Sequence, residues 1–268
     1  MIPTQVEYRA WLPHVCKIAR QAGALILEIY RCADCTVEKK ADGSPVTQAD
    51  KLADAAIRHA LQGLTPHIPI VSEESIDDNA FAQRQTWSVY WLVDPLDGTK
   101  EFIERTDEFC VNIALVVNQR AQLGVVYGPV QDVLYAGYVG GEATKQQGEQ
   151  TQVIHVRTPS APIKVAVSRR HGKRVAEFID ALVDAQTVNM GSALKSCLVA
   201  EGAVDVYPRF GPTSHWDTAA SQAIVEAAGG RIVDAQHQDL RYVASPDLLN
   251  PFFMVIGDAN YPWPSFPS

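Results

Sequence analysis

Trp11, Val15, Ile18, Ala22, Leu25 and Ile29 recur at the three- and four-residue spacing of one helix face, so the chain opens on a long amphipathic helix that Pro13 can help start. A polar loop follows, with Asp42-Gly43-Ser44-Pro45 as its turn signal, and residues 50–62 read as a second helix. Residues 68–71 form a short apolar run that leads straight into Ser72-Glu73-Glu74, and a strand over 88–93 rises into Asp94. From 109 to 139 the period changes to two. Val111, Ile113, Leu115 and Val117 alternate with less apolar neighbours, and runs at 124–127 and 133–138 follow after short turns, the pattern of an antiparallel meander.

Residues 140–162, rich in Gly, Gln and Thr, contain the expected internal boundary. Beyond them, strands at 163–168, 187–190, 203–207 and 231–234 alternate with helices at 173–185, 192–201 and 217–228. Val175, Phe178, Ile179, Leu182 and Val183 mark the first of those helices. Such alternation implies an α/β arrangement. The expected organisation is an α+β half over 1–155 and an α/β half over 156–268, joined in one integrated unit.

Composition narrows the class. A chain of 268 residues with 47% hydrophobic and 20% charged residues has ample material for a core and the polarity of an ordinary soluble enzyme. No apolar run approaches the length of a membrane span. Met1-Ile2-Pro3-Thr4-Gln5-Val6-Glu7 has neither the basic nor the apolar region of a secretion signal. Five scattered cysteines fit a reduced, cytoplasmic setting. Cys32 and Cys35 form a lone Cys-x-x-Cys with no second pair and no thioredoxin-like strand before it, and read as two unrelated thiols. The net charge of −8 argues against a nucleic-acid polymer as partner while leaving a small phosphorylated ligand open. Nothing in the chain specifies an oligomeric state.

The chemistry concentrates in residues 91–99, Trp-Leu-Val-Asp-Pro-Leu-Asp-Gly-Thr. An apolar strand ends there in two aspartates, and burying both as bare carboxylates would be very costly without a counter-charge. A strand end that turns sharply can aim Asp94, Asp97 and the carbonyl of Leu96 at one point, which suits a hard, oxygen-seeking cation such as Mg²⁺. Gly98 permits close backbone approach, and free amides at Gly98 and Thr99 would receive phosphate oxygens as a small nest. Glu73 and Glu74 also end an apolar strand, so Glu73 joins the ligand candidates if the two strands are neighbours in one sheet. Asp50 has two readings: with Thr47 it fits a capping box, and an acid there could equally orient a water. Asp217, after Trp216 and before an Ala-rich helix, reads as an ordinary acid complementing the helix dipole, and spacing alone gives only a weak case for function. His215 suits a structural or substrate contact, since no serine nucleophile accompanies it.

Glu73-Glu74, Trp91 through Thr99, and Trp216-Asp217-Thr218-Ala219-Ala220 occur in the order seen in the inositol monophosphatase family, which this chain resembles over nearly its whole length. Lys100-Glu101-Phe102, Gly191 through Lys195 and Tyr207 through Thr213 look like its bacterial 3′(2′),5′-bisphosphate nucleotidase branch. The resemblance implies a layered αβαβα sandwich of the inositol monophosphatase/fructose-1,6-bisphosphatase type. It implies Mg²⁺-dependent, lithium-sensitive phosphomonoester hydrolysis with about two or three ions per site. Glu73, Asp94, Asp97, Asp217 and the Leu96 carbonyl match its metal ligands, and Asp50 and Thr99, with Glu73, match its catalytic residues.

The implied reaction is metal-assisted attack by water with no phosphoenzyme. The implied substrate is adenosine 3′(2′),5′-bisphosphate, as in recycling the by-product of sulfate assimilation. Gly98, Thr99, Lys100, Ser168, Lys195, Arg209 and Asp217 are the expected substrate contacts, with Arg169 and Arg170 as further candidate cations. Ala193 departs from the branch, where a second serine is common; only a small local effect is expected. The alternatives are an inositol or sugar-phosphate phosphatase with the same metal chemistry and, from another class, a non-catalytic phosphate-binding regulator. The family also allows loose association with the inner face of the cell membrane, for which the sequence carries no anchor.

Overall fold

Thr4 and Glu7 start the first helix: Thr4 N donates to Glu7 Oε2 at 2.8 Å and closes a capping box, so α1 (Gln5–Arg31) begins well before Pro13. Pro13 therefore lies inside the helix rather than at its start. Its missing N–H falls on the exposed face, where water can serve the freed carbonyl, while Tyr8, Val15, Ile18, Ala22 and Ile26 bury the opposite stripe. The computed structural model describes residues 2–32, 37–39, 45–78, 81–169 and 172–266. The turn expected around 42–44, Cys35 and Arg170 lie outside them.

The elements continue as β1 (Val37–Lys39), β2 (Pro45–Thr47), α2 (Gln48–Leu64), β3 (Ile70–Ser72), a 3₁₀ segment Glu73–Asp78, α3 (Phe81–Arg84), β4 (Val89–Asp97) and α4 (Thr99–Ile103). Then come β5 (Cys110–Val117), β6 (Arg120–Gly128), β7 (Val133–Tyr138), β8 (Ala143–Gln147) and β9 (Gln150–Ile154). The chain ends through β10 (Ile163–Val167), α5 (Lys173–Asp180), β11 (Ala185–Asn189), α6 (Leu194–Ala200), β12 (Val206–Arg209), a 3₁₀ turn His215–Asp217, α7 (Ala219–Ala227), β13 (Arg231–Asp234) and β14 (Phe253–Ile256).

Among the described residues β3 to β9 form one sheet in sequence order, antiparallel except for the parallel β3–β4 pair. A second sheet has the order β11-β10-β12-β14-β13 and mixes parallel with antiparallel pairs. The tract 140–162 thus does more than separate two halves, since β8 and β9 extend the first sheet and only 155–162 links it to the second. Helix α5 also stops at Asp180, short of the expected 185.

Helices α1 and α2 cover one face of the first sheet, α6 and α7 fill the space between the sheets, and α5 covers the far face of the second. The order is αβαβα, as expected. Gly124 on β6 shows how tight the middle layer is: a Cβ there would sit 2.0 Å from the Ala220 carbonyl of α7. Ala219, Ala220 and Ala223 keep that helix thin enough to lie directly on the strands. No helix among the described residues is long and apolar enough to cross a membrane.

Candidate active site

Strands β3 and β4 run parallel in the register Ile70↔Trp91, Val71↔Leu92 and Ser72↔Val93. The next residues along the two segments are Glu73 and Asp94, so the ends converge closely enough for Glu73 to raise the Asp94 pKa. Strand β4 continues past the expected 93, but its pairing with β5 slips between Asp94 and Asp97. Pro95 and Leu96 occupy that irregularity, where Leu96 N donates to Asp94 Oδ1 at 3.0 Å. The bulge sets both aspartates toward one point. Gly98 then turns the chain at φ 93° into α4, a left-handed conformation in which a side chain would also press on the Glu108 carbonyl.

Three remote segments complete the cluster. Carboxylate oxygens of Asp94, Asp97 and Asp217 lie within 4.8 Å of one another. Asp217 enters from the 3₁₀ turn ahead of α7, where Ser214 N donates to its Oδ2 at 2.9 Å and closes a capping box. Asp97 Oδ2 accepts from Ala193 N at 2.6 Å and from Asn112 Nδ2 at 3.2 Å. Ala193 acts through its main chain, so the absent serine hydroxyl leaves this contact intact. Asn112 escaped the sequence reading, although a lone amide buried between Val111 and Ile113 was a usable signal.

Asp50, from the start of α2, serves two partners. Its Oδ2 accepts from Thr47 N at 2.8 Å and Thr47 Oγ1 at 2.6 Å, while Oδ1 lies 3.3 Å from Thr99 Oγ1. The Thr99 hydroxyl is also 3.3 Å from the Leu96 carbonyl, so its single proton is shared between two acceptors.

This concentration of acid, buried at Asp50 and Asp94 and half-buried at Asp97 and Asp217, has an electrostatic consequence. Burial, then Glu73, Asp97 and Asp217, push the Asp94 carboxyl well above the ordinary range. Burial and Asp97 lift Asp217 to about 8, with Arg209 acting in the opposite direction. Asp97 is raised by burial, with Lys195 partly offsetting it, and Asp50 is raised mainly by burial. Such a set of oxygen donors is stable at neutral pH when a hard cation neutralises it, so the residues present fit a divalent metal.

Beside the acids opens a cleft of about 220 Å³ lined by Gly98, Lys100, Glu101, Ser168, Ser192, Lys195, Tyr207, Arg209, Thr213 and Asp217, among others. Lys195 is buried, donates to the Ser192 carbonyl at 2.8 Å and lies 5.2 Å from the Tyr207 ring centroid. Burial brings its ammonium down to about 8. Arg209 spends Nη2 on the Pro212 carbonyl at 3.0 Å, while its buried Nε has no partner among the described residues. A second chamber of about 200 Å³ shares Ser168, Tyr207 and Arg209 with the first and adds Arg174, Pro208 and Phe210. Arg169, in contrast, pairs with Glu108 at 2.7 Å outside the cleft. His215 is structural: it is buried edge-on against Tyr242 and held neutral, its pKa lowered by burial to about 4. The Sγ of Cys32 donates to the Glu28 carbonyl.

The inositol monophosphatase family pattern matches residues 7–254. The chain is 47% identical over 246 residues to a protein of Escherichia coli O157:H7 named 3′(2′),5′-bisphosphate nucleotidase CysQ, covering 91% of this chain and 98% of that one. It is 36% identical over 258 residues to the Haemophilus influenzae protein of the same name, covering 95% of each. Among solved structures, CysQ from Bacteroides thetaiotaomicron superposes with a TM-score of 0.82 at 38% identity, covering 92% of this chain and 97% of that one. An inositol monophosphatase from Anabaena superposes at 0.71 with 25% identity, covering 94% and 92%. The motifs, the αβαβα layers and the acidic cluster agree with these likenesses, and the chain belongs to the inositol monophosphatase family.

Proposed function

We propose that this protein is a Mg²⁺-dependent phosphomonoesterase that hydrolyses adenosine 3′(2′),5′-bisphosphate to AMP and phosphate. The observation that carries the reading is the meeting of Asp94, Asp97 and Asp217 beside a cleft lined by Lys100, Lys195 and Arg209. A seat for hard cations adjoins a row of anion-binding groups, and a substrate with two phosphates needs both. The relatives that share close to half of its residues and carry the nucleotidase name favour a nucleotide over a cyclitol phosphate.

Glu73, Asp94, Asp97, Asp217 and the Leu96 carbonyl would hold about two or three Mg²⁺ ions. When bound, such ions stabilise charge on phosphoryl oxygens and make water acidic enough to attack at neutral pH. The rest falls to the chain. Thr99 relays the proton of the attacking water to Asp50, whose raised pKa makes it a better acceptor than an ordinary carboxylate. Gly98 and Thr99 offer backbone amides to the reacting phosphate. Lys195, Arg209, Lys100 and Ser168 meet the second phosphate, and the nucleoside runs toward the chamber of Tyr207, Pro208 and Phe210. No residue becomes phosphorylated.

Lithium sensitivity and recycling of the nucleotide by-product of sulfate assimilation belong to the same proposal. So does a reducing, cytoplasmic setting, which suits the free thiols Cys16, Cys32, Cys110 and Cys197. Within it, residues 1–155 supply all the proposed metal ligands but Asp217, and 156–268 supply Asp217 and most substrate contacts. The test is Asp97→Asn: turnover should vanish while the melting curve in EDTA stays cooperative, and near-normal activity in Mg²⁺ would refute the site.

A further inference from the structure

Residues 242–251, the later part of the connection from β13 to β14, have no strand or helix of their own among the described residues, yet they are hydrogen-bonded at one end to α3 and at the other to the site. At one end Arg84, the last residue of α3, donates Nη2 to the carbonyls of Ser245 and Pro246 at 3.1 and 3.4 Å. Leu248 N then donates to Ser245 Oγ at 3.0 Å, which ties the segment's own turn. At the other end the segment is stitched to the turn that presents Asp217. His215 N donates to the Leu248 carbonyl at 2.8 Å, Asn250 N donates to the Thr213 carbonyl at 2.9 Å, and Ser214 faces Leu249 in an antiparallel bridge.

The side chain of Asn250 adds what main-chain stitching does not. Its Nδ2 is 2.5 Å from the Ser214 carbonyl, 3.1 Å from Thr218 Oγ1 and 3.2 Å from Thr213 Oγ1. The Ser214 residue that receives this bond holds Asp217 twice: its N–H donates to Asp217 Oδ2, and its carbonyl accepts from Asp217 N at 3.1 Å. Thr213 and Thr218, the other two contacts, line the cleft, whereas Asn250 does not. One amide group therefore reaches the Ser214 carbonyl, which itself accepts from Asp217, and the hydroxyls of Thr213 and Thr218 on either side of the turn. Removing it leaves the main-chain stitching in place but takes the side-chain donor off the Ser214 carbonyl, which loosens the turn that aims Asp217 at Asp94 and Asp97.

We propose that Asn250 is a positioning residue for Asp217: it fixes the Ser214 cap and thereby the direction of the carboxylate, without touching metal or substrate. This rests on the metal-dependent reading of the site. Losing a direct outer hydrogen-bond partner of a metal ligand costs about 10- to 100-fold in metal affinity; Asn250 acts one bond further out, through Ser214, so the low end of that range is expected, and in metal binding first.

The test is titration of Mn²⁺ into purified wild type, Asn250→Ala, Asn250→Asp and Leu248→Ala by calorimetry, alongside kcat and KM at varied Mg²⁺. Leu248→Ala is the structural control, since it removes a buried side chain of the same segment and keeps the amide. The expected result is Mn²⁺ affinity about 10-fold weaker in both Asn250 variants. Their half-saturating Mg²⁺ should rise in parallel, kcat should recover in excess Mg²⁺, and KM for the nucleotide should stay close to wild type. Leu248→Ala should melt lower with its Mn²⁺ affinity unchanged. Unaltered Mn²⁺ binding in the Asn250 variants, or equal weakening in Leu248→Ala, would overturn the inference while leaving the metal-dependent reading standing. A wild type that takes up no Mn²⁺ would defeat that reading and the inference with it.

Discussion

Thr99 Oγ1 lies 3.3 Å from Asp50 Oδ1, and the other oxygen of the same carboxylate closes the capping box of α2. The two readings of Asp50 are therefore one arrangement: the cap holds the acid still, and the acid faces the hydroxyl. The roles separate by substitution. Asp50→Asn keeps an oxygen for Thr47 and should melt within a few degrees of wild type, yet it loses the basic oxygen opposite Thr99. A fall in kcat of about 10²–10⁴-fold is expected, the usual share of a general base. Asp50→Ala should lose the same activity and, in addition, about 1 kcal/mol of stability, because the N3 acid of the Thr47 capping box is gone. Thermal melts and steady-state rates on the two variants check both parts.

Lys195 should set an alkaline limit on substrate capture. Burial lowers its pKa to about 8, so the cation proposed to meet the second phosphate is present below that pH and lost above it. The value of kcat/KM, which reports groups on the free enzyme, should fall about tenfold per pH unit above 8. Arginine stays charged throughout this range. Lys195→Arg should therefore lower kcat/KM overall but abolish the alkaline limb, and a limb that persists unchanged would assign it to another group.

Removing metal should expose the repulsion among the acids. Burial with Glu73, Asp97 and Asp217 raises the Asp94 carboxyl, so above the ordinary carboxylate pKa its ionisation opposes folding in the metal-free protein. Asp94→Asn relieves that cost and still accepts the Leu96 amide. In EDTA the variant should melt a few degrees above wild type, about 2–4 °C for each kcal/mol relieved. With excess Mg²⁺ the order should reverse, because wild type gains stability from the ions and the variant gains little. Paired melts in EDTA and Mg²⁺ read both signs.

Arg209 should discriminate by the second phosphate. Its buried Nε has no partner among the described residues and the side chain lines both chambers of the cleft. A hydrogen bond to a charged group contributes about 1.5–3 kcal/mol, or roughly 10- to 150-fold in binding. Arg209→Ala should raise KM by that factor for adenosine 3′,5′-bisphosphate and far less for adenosine 3′-monophosphate. Equal increases for the two would move the second phosphate elsewhere.

How much of this was legible depended on where the signal lay. Asp94, Asp97 and Glu73 stand out in the sequence because each ends an apolar run, and the parallel β3–β4 pairing meets the condition under which those ends converge. Asp217 was not decidable alone, since an acid at a helix start looks the same whether it faces a metal or only a dipole. The hairpin of β8 and β9 was missed because its residues are largely half-buried or exposed at the sheet edge, which leaves little apolar alternation to read. Ala193 could not be found as a partner of Asp97, because a backbone amide has no letter of its own. Arg169 looked like a phosphate cation until Glu108, 61 residues away, was seen to hold it. Asn250 lies in a segment with no period at all, and only the tertiary path to Ser214 reveals it.

The central claim is metal-dependent removal of one phosphate from a nucleotide bisphosphate. Its most direct measurement is product analysis of the purified protein with adenosine 3′,5′-bisphosphate, inositol 1-phosphate and fructose 1,6-bisphosphate, each in Mg²⁺ and in EDTA. Rapid release of phosphate with AMP as the nucleotide product, in Mg²⁺ alone and in clear preference to the other two substrates, is the predicted result. An intact bisphosphate beside efficient hydrolysis of inositol 1-phosphate, or turnover undiminished by EDTA, would contradict it.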